Sequence, residues 1–260
     1  MLPNFIIPGT IKGGTKALIS YLTQHPDIFV FPREIYFFNN NYDKGTAWYE
    51  HKFDQRINER AVGEKTPGYM LYPECAKRIF DTIPDVKLIF LLRNPVNRTY
   101  SSYWMRRRKR KVPNNASFEK ELSRRKDYLT HGLYADQISH YLEFFRKEQM
   151  MFVISEELHT NTKVVLRDIC SFIGVAPDFE FGPISKDVVG RVPKNYFLTR
   201  IIKKMPESGL KSSLMKKLNT AERYPPMDSK TKEKLQGFFR EPNKQLENII
   251  ERDLSEIWYP

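Results

Sequence analysis

The chain has 260 residues, of which 40% are hydrophobic and 13% aromatic, enough to bury a sizeable core and too many for a disordered sequence. Its 43 Lys and Arg residues outnumber 31 Asp and Glu residues, and the net charge of +12 attracts polyanions, acidic lipids or phosphorylated small molecules. No apolar run reaches the roughly 18 residues of a membrane-spanning helix. Two cysteines exclude a disulfide framework and, with a start that lacks the secretory-signal pattern, predict a cytoplasmic protein.

Short apolar segments alternate with segments of helical periodicity along the chain. The predicted strands are Phe5–Ile7, Ile28–Phe31, Ala61–Gly63, Val86–Leu92 and Met151–Ile154. The predicted helices are Thr15–Gln24, Thr46–Phe53, Glu74–Thr82, Pro95–Arg108, Tyr134–Lys147, Thr162–Ile173 and Lys230–Ile250. The almost continuous apolar run of the fourth strand is typical of a strand that helices cover on both faces. This alternation predicts an α/β fold with a mostly parallel sheet.

The first strand–helix junction has the composition of an anion-binding loop. Gly13 and Gly14 let the backbone approach an anion closely, and Lys12 and Lys16 add positive charge. The helix that begins at Thr15 presents free N–H groups and the positive end of its dipole to the same point. The alternative interpretation is a plain tight turn with two surface lysines.

This loop differs from the loop that binds nucleoside triphosphates, in which a Lys and then a Ser or Thr follow the second glycine. Here Thr15 and Lys16 follow it, and Ala17 occupies the place of the hydroxyl that holds magnesium. The strand Val86–Leu92 leads into Arg93 and not into a metal-binding Asp. We therefore predict a phosphate site that works without metal.

Four segments of the chain together resemble sulfotransferases that use 3′-phosphoadenosine 5′-phosphosulfate (PAPS). The likeness is to the heparan-sulfate and related carbohydrate sulfotransferases and their bacterial relatives. The segments resemble, in order, the 5′-phosphosulfate loop, the motif with a catalytic Glu, a Lys-Thr-Pro segment and the 3′-phosphate motif of that branch. They are Lys12–Lys16, Pro32–Phe38, Glu64–Tyr69 and Leu92–Tyr103.

The resemblance implies a P-loop-like three-layer α/β domain, with a central, mostly parallel sheet flanked by helices. We expect one sulfotransferase domain over residues 1–260, with a nucleotide-binding core over 1–175 and a loop and helical part over 176–260. The resemblance also implies that PAPS is the co-substrate, that PAP is the product, and that no metal is required.

The resemblance assigns residues to both phosphate ends of PAPS. Lys12 and the N–H groups that follow it are placed to stabilise the charge that builds on the bridging oxygen, and each such donor contributes about 10²–10³ in rate. Arg93 and Ser101 match the residues that bind the 3′-phosphate, although an ordinary ion pair is the alternative for Arg93. The assigned donor-binding residues are Lys12, Gly13, Gly14, Thr15, Lys16, Arg93, Ser101, Arg191 and Lys194.

Glu34 is the predicted general base, because an acceptor hydroxyl has to lose its proton and a positioned base contributes about 10²–10⁴ in rate. It follows a predicted strand and lies among aromatic residues. The alternative is a solvated Glu paired with Arg33. Tyr36 and Asn39 stand where the carbohydrate branch often has His and Asp, which leaves the roles of those auxiliary groups open.

Three further basic features have two interpretations each. Lys65 is a predicted catalytic cation that contacts the bridging oxygen or the acceptor, or else it pairs with Glu64. The run Arg106–Lys111 steers anionic ligands or is a solvated helix end. The segment Leu198–Leu218 contacts an anionic membrane surface or is an amphipathic helix packed on the domain.

The favoured hypothesis is therefore an enzyme, a PAPS-dependent sulfotransferase that sulfates a hydroxyl of a carbohydrate, a glycolipid or a small molecule. A P-loop small-molecule kinase is one alternative, and it would need ATP and magnesium. A basic nucleic-acid-binding protein is the other, but the chain shows no recognised nucleic-acid motif and its charge is clustered. We predict no nucleic-acid partner, and neither acceptor identity nor oligomeric state can be predicted from the sequence.

Overall fold

The computed structural model describes residues 1–113, 115–184 and 224–259, together with isolated positions between residues 202 and 214. These residues contain a five-stranded sheet in which every strand pair is parallel and the order is β2-β3-β1-β4-β5. The strands are β1 (Phe5–Gly9), β2 (Ile28–Val30), β3 (Ala61–Lys65), β4 (Lys87–Leu92) and β5 (Met150–Ile154).

Helices connect the strands and cover both faces of the sheet. Up to β5 they are α1 (Thr15–Leu22), α2 (Phe37–Asn40), α3 (Gly45–Glu50), α4 (Pro73–Thr82), α5 (Pro95–Arg108), α6 (Phe118–Arg124), α7 (Asp127–Thr130) and α8 (Tyr134–Leu142). After β5 they are α9 (Ser155–Thr160), α10 (Thr162–Ile173), α11 (Ser229–Ile250) and α12 (Ser255–Trp258). Short 3-10 turns lie at Tyr42–Lys44, His51–Phe53, Tyr69–Leu71 and Lys147–Gln149.

The strand β4 shows why its sequence is apolar without alternation. Successive side chains of a strand point to opposite faces of the sheet. Leu88 and Phe90 accordingly belong to the core on one face, whereas Ile89 and Leu91 belong to the core on the other. The side chains from Leu88 to Leu92 are fully buried on both faces, and Lys87, which is only partly buried, is the one polar residue of the strand. The predicted α/β class is confirmed.

The predicted helix Tyr134–Lys147 is wrong at its end, because α8 stops at Leu142. Phe145 turns into the core instead of continuing the helix, and its ring packs edge-on against Phe80. A 3-10 turn then leads into β5. Five short helices were not predicted, because each has at most seven residues and lacks a long apolar period: α2, α6, α7, α9 and α12.

The C-terminal helices pack on the sheet domain. Leu246 of α11 and Trp258 of α12 are buried in the core that includes Phe90, and Phe239 of α11 packs beside Val96 of α5. The helices in the described ranges include none that is both long and apolar enough to cross a bilayer. The division of one domain at residue 175 stays a prediction.

Candidate active site

Charged residues follow or end four strands that are neighbours in the sheet. Glu34 follows β2, Lys65 ends β3, Lys12 follows β1 and Arg93 follows β4. Because the strands are parallel, their carboxyl ends meet at one edge of the sheet, where ligands of open α/β folds bind. The topology therefore brings residues of all four predicted motifs to one edge of the sheet.

In the loop between β1 and α1, the close packing of one glycine and the backbone conformation of the other require residues without a side chain. A Cβ atom on Gly13 would lie 2.5 Å from the carbonyl oxygen of Leu91, so no larger residue fits there. The Gly13 N–H donates to the carbonyl oxygen of Thr10 at 3.0 Å. This hydrogen bond closes the turn before α1, and the contact of the Gly13 N–H with an anion stays a prediction. Gly14 has φ of 97°, a left-handed conformation that favours glycine.

The first turn of α1 supplies the remaining N–H groups. Thr15 and Lys16 are its first two residues, and N–H groups in a first helical turn have no acceptor within the helix. Thr15 is buried, whereas Lys16 is exposed and free to move its ammonium towards a ligand. Ala17 and Leu18 point to the core and fix the helix on the sheet.

Lys12 lies at the centre of a cationic cluster. One guanidinium nitrogen of Arg93, Nη1, donates to the Lys12 carbonyl oxygen at 3.2 Å. Burial, followed by the charges of Arg108, Arg93, Lys16 and Lys109, lowers the pKa of Lys12 to about 8. Cations that repel one another at a strand end fit a ligand with several negative charges.

The start of α5 is fixed by Asn94. Its Oδ1 accepts from the backbone N–H groups of Val96 at 3.0 Å and Asn97 at 3.2 Å, which caps the helix. Arg93 thus lies immediately before a capped N-terminus. Ser101 lies in the second turn of α5 and is buried. The structure brings Arg93 to the loop of Lys12, while the 3′-phosphate role of Ser101 stays a prediction.

The basic run at the end of α5 has two parts. Arg106 forms an ion pair with Asp127. Arg107 donates to the hydroxyl of Tyr103 at 2.7 Å and so packs along the helix. The next two residues of the run, Arg108 and Lys109, are close enough to the β1–α1 loop to lower the pKa of Lys12. The run therefore both ends a helix and adds charge to the site.

Glu34 takes two partners on its two oxygens. Lys65 Nζ lies 3.3 Å from Oε1, and the hydroxyl of Tyr36 donates to Oε2. The alternatives that paired Lys65 with Glu64, and Glu34 with Arg33, are wrong. Side chains of adjacent strand residues point to opposite faces, so Lys65 turns to the site and Glu64 away from it. Glu34 keeps 33% of its side-chain surface exposed, which leaves room for an acceptor.

Tyr36 is a site residue whose role the sequence left open. Its backbone is left-handed, with φ of 54°, at the residue before α2. Burial and the bond to Glu34 raise the pKa of Tyr36 to about 12, so its hydroxyl stays a donor. Asn39 lies one turn further along the chain, and its side-chain oxygen has no hydrogen-bond partner in the described structure.

Glu64 is a fully buried carboxylate behind the site, and sequence reasoning missed its role. Its Oε1 accepts from the hydroxyls of Tyr49 at 2.7 Å and Tyr69 at 3.0 Å, and its Oε2 accepts from Thr66 Oγ1 at 2.8 Å. Burial raises the pKa of Glu64 to about 7, although these three hydrogen bonds act in the opposite direction. The sequence signal that could have indicated this role is a charged residue at a strand position that faces the core.

Two predicted donor residues lie outside the described residues. These are Arg191 and Lys194, and the segment Leu198–Leu218 is described only at isolated positions. In the described part of the chain, no group of three or more His, Cys, Asp or Glu side chains is arranged to hold a metal ion. Contacts of these predicted residues with a donor stay predictions.

Comparison with known proteins identifies the family. The family model described as "Sulfotransferase domain" matches residues 2–248. Heparan sulfate glucosamine 3-O-sulfotransferase 3B1 from Homo sapiens is 34% identical over 183 residues, which are 67% of this chain and 46% of that protein. The chain spans about half the length of such curated relatives.

Solved structures agree with this match. A sulfotransferase from Alicyclobacillus acidocaldarius superposes with a TM-score of 0.77 and 30% identity, and the match covers 100% of both chains. Mouse sulfotransferase SULT7A1 complexed with PAP covers 95% of this chain and 85% of its own, with a TM-score of 0.50 and 13% identity, a likeness of fold alone. The resemblance and the three-layer α/β architecture are confirmed, and the chain belongs to the sulfotransferase domain family.

Proposed function

We propose that this protein transfers the sulfuryl group of PAPS to a hydroxyl of a carbohydrate. The observation that carries the proposal is the meeting of a cationic loop and a paired carboxylate at one edge of the sheet. Lys12 and Arg93 form the cationic part, and Glu34 with Lys65 forms the other. Membership of the sulfotransferase family supports sulfuryl transfer as the reaction, and the residues at this sheet edge are the proposed catalytic and binding groups.

The donor residues fit PAPS by charge. The four cations that surround Lys12 would hold the phosphates, and the first turn of α1 would add N–H donors. When bound, PAPS supplies a sulfuryl group attached to a phosphate that leaves as part of PAP. Lys12 then stabilises negative charge at the leaving oxygen, a contribution of about 10²–10³ in rate for one donor of this kind.

Glu34 accepts the proton of the acceptor hydroxyl in this proposal. The acceptor oxygen forms its new bond to sulfur while the bond from sulfur to the phosphate oxygen breaks, and the proton goes to the carboxylate. Each carboxylate oxygen has two lone-pair directions, so the bonds from Lys65 and Tyr36 leave directions free for the acceptor. Lys65 and Tyr36 thereby orient Glu34 without blocking it.

The acceptor class rests on the relatives. Several are named as heparan sulfate glucosamine 3-O-sulfotransferases, and their matches cover 66% to 97% of this chain. The net charge of +12 also suits an anionic carbohydrate. We propose a carbohydrate acceptor on these grounds. Cytoplasmic location and contact with a membrane surface stay predictions.

The proposal is tested by transfer of radiolabel from PAPS. Purified protein is incubated with labelled PAPS and EDTA, and with heparan sulfate, a neutral glycan, a glycolipid or a phenol in parallel reactions. We expect label on a carbohydrate in the presence of EDTA. Label on the phenol alone would overturn the acceptor class, and phosphate transfer from ATP with magnesium would favour the kinase alternative.

A further inference from the structure

We propose that Glu64 is a positioning residue that fixes the loop carrying the general base, acting through the hydroxyls of Thr66 and Tyr69. This inference rests on the proposed function only in its view of Glu34 as the base. Glu64 itself faces away from the site and touches no reacting atom. It acts through a chain of hydrogen bonds that begins in the core and ends on the backbone next to Glu34.

The loop after Glu34 is held by two side-chain hydroxyls. The N–H of Ile35 donates to Thr66 Oγ1 at 3.2 Å, and the N–H of Phe37 donates to the hydroxyl oxygen of Tyr69 at 2.8 Å. The N–H of Tyr36 lies 3.5 Å from the same Thr66 oxygen. The backbone immediately after the base is therefore fixed by two side-chain oxygens that accept hydrogen bonds from its N–H groups.

Glu64 determines which way these hydroxyls point. A hydroxyl has one proton and two acceptor directions. Both Thr66 and Tyr69 donate their proton to Glu64, so both keep their acceptor directions for the loop. A carboxylate can only accept, and therefore it fixes this direction for every hydroxyl around it. An amide at position 64 would present N–H groups to one of them and compete with the loop.

The burial of Glu64 supports a role beyond packing. The carboxyl has no exposed surface, and burial raises its pKa to about 7 despite three hydroxyl donors. Burying a carboxylate costs desolvation free energy even when hydrogen bonds satisfy it, so packing alone does not explain a glutamate at this position. At about pH 8 the group is a carboxylate and the proposed hydrogen-bond direction holds.

Tyr49 provides a matched control. Its hydroxyl donates to the same Oε1 of Glu64 at 2.7 Å, and like Tyr69 it is fully buried. Its ring stacks on Phe37 with centroids 4.4 Å apart, a contact that Phe at position 49 would keep. The loop N–H groups of Ile35 and Phe37 go to Thr66 and Tyr69 instead. Two tyrosines thus bind one carboxylate oxygen, and Tyr69 also accepts from the loop.

The test compares Tyr69→Phe with Tyr49→Phe in the full chain at about pH 8. We expect Tyr69→Phe to lower kcat by about 10- to 100-fold, as small misplacements of catalytic groups do, with KM for PAPS and Kd for PAP unchanged. Tyr49→Phe should keep kcat within about twofold and lose less thermal stability than Tyr69→Phe, since it breaks one hydrogen bond to Glu64 and leaves the loop N–H groups paired. Thr66→Val should resemble Tyr69→Phe, and Thr66→Ser should restore kcat.

A second readout does not depend on activity. Hydrogen exchange of the amides of Ile35 and Phe37 should become faster in Tyr69→Phe and Thr66→Val and stay slow in Tyr49→Phe. Equal kcat losses in the two tyrosine variants, or unchanged exchange in Tyr69→Phe, would overturn the inference. Glu34→Gln is measured in parallel: if it keeps full kcat, the assigned base is wrong, and exchange alone then decides whether Glu64 fixes the loop.

Discussion

The donor side of the site, formed by Lys12–Lys16 with Arg93, contrasts with the acceptor side, formed by Glu34–Phe37 with Glu64–Tyr69. The donor side is open and cationic, and its groups are ready for an anion that reduces their mutual repulsion. The acceptor side is closed behind Glu34, where a buried carboxylate and three hydroxyls leave little freedom. Both sides lie at the same sheet edge.

The two sides of the site should control different measured quantities. A cluster of like charges gains free energy when an anion arrives, so the donor side should respond to pH, salt and loss of a charge. A hydrogen-bonded network gains no free energy from donor binding but fixes the position of Glu34, so the acceptor side should respond to loss of the Thr66 or Tyr69 hydroxyl, which binds the loop. Variants of the donor side should therefore change PAP affinity as well as turnover, whereas variants of the acceptor side should change turnover alone.

Lys12→Ala should show the largest effect on the donor side. Loss of the central cation should lower turnover by about 10²–10³ and weaken PAP binding, because the leaving oxygen loses its charged partner. Turnover with saturating PAPS and calorimetric titration with PAP check this expectation. Lys163→Ala, an exposed lysine at the start of α10, is the control and should behave as wild type. Normal turnover in Lys12→Ala would place the leaving oxygen elsewhere.

The pH dependence of PAP binding should show the second effect. The pKa of Lys12 is lowered to about 8 in the free protein, and a bound anion favours the protonated form. Affinity should therefore be full below about pH 8, and Kd should rise up to about tenfold for each further pH unit. Lys12→Arg stays charged and should give a flat profile. A wild-type Kd that is constant up to about pH 9.5 would contradict the role of Lys12.

Tyr36→Phe should show the smallest effect, and on the acceptor side alone. One hydrogen bond to Glu34 is lost at a partly exposed position, and a bond worth about 1 kcal/mol changes kcat by about fivefold. KM for PAPS should not change. Steady-state kinetics beside Tyr72→Phe, which alters another exposed tyrosine, measure the effect. A change in PAPS affinity without a change in kcat would mean that Tyr36 belongs to the donor side.

Most of the donor side could be predicted from the sequence because Lys12–Lys16 is one short segment. Lys12, Gly14 and Lys16 are adjacent in the chain, so their residue types already describe a loop and a helix start. The close approach of Gly13 to the carbonyl oxygen of Leu91 could not be predicted, since Leu91 comes from a distant strand. Features that depend on neighbouring residues could be predicted, whereas close contacts between residues far apart in the chain could not.

The acceptor side was predictable only in part. Glu34 and Lys65 were identified as charged residues near strand ends, but their pairing joins residues from different segments. The role of Glu64 depends on Tyr49 and Tyr69, and a sequence does not show that two tyrosines meet one carboxylate. Strand alternation alone indicates that Glu64 and Lys65 face opposite ways.

The measurement that tests the central claim most directly is turnover and PAP affinity of Glu34→Gln on one preparation, with Glu74→Gln as the exposed control. The account predicts that sulfuryl transfer falls by about 10²–10⁴, the usual contribution of a general base, while the Kd for PAP stays at the wild-type value. Full transfer by Glu34→Gln, or loss of PAP binding in step with transfer, would contradict a carboxylate base that is separate from the cationic donor side.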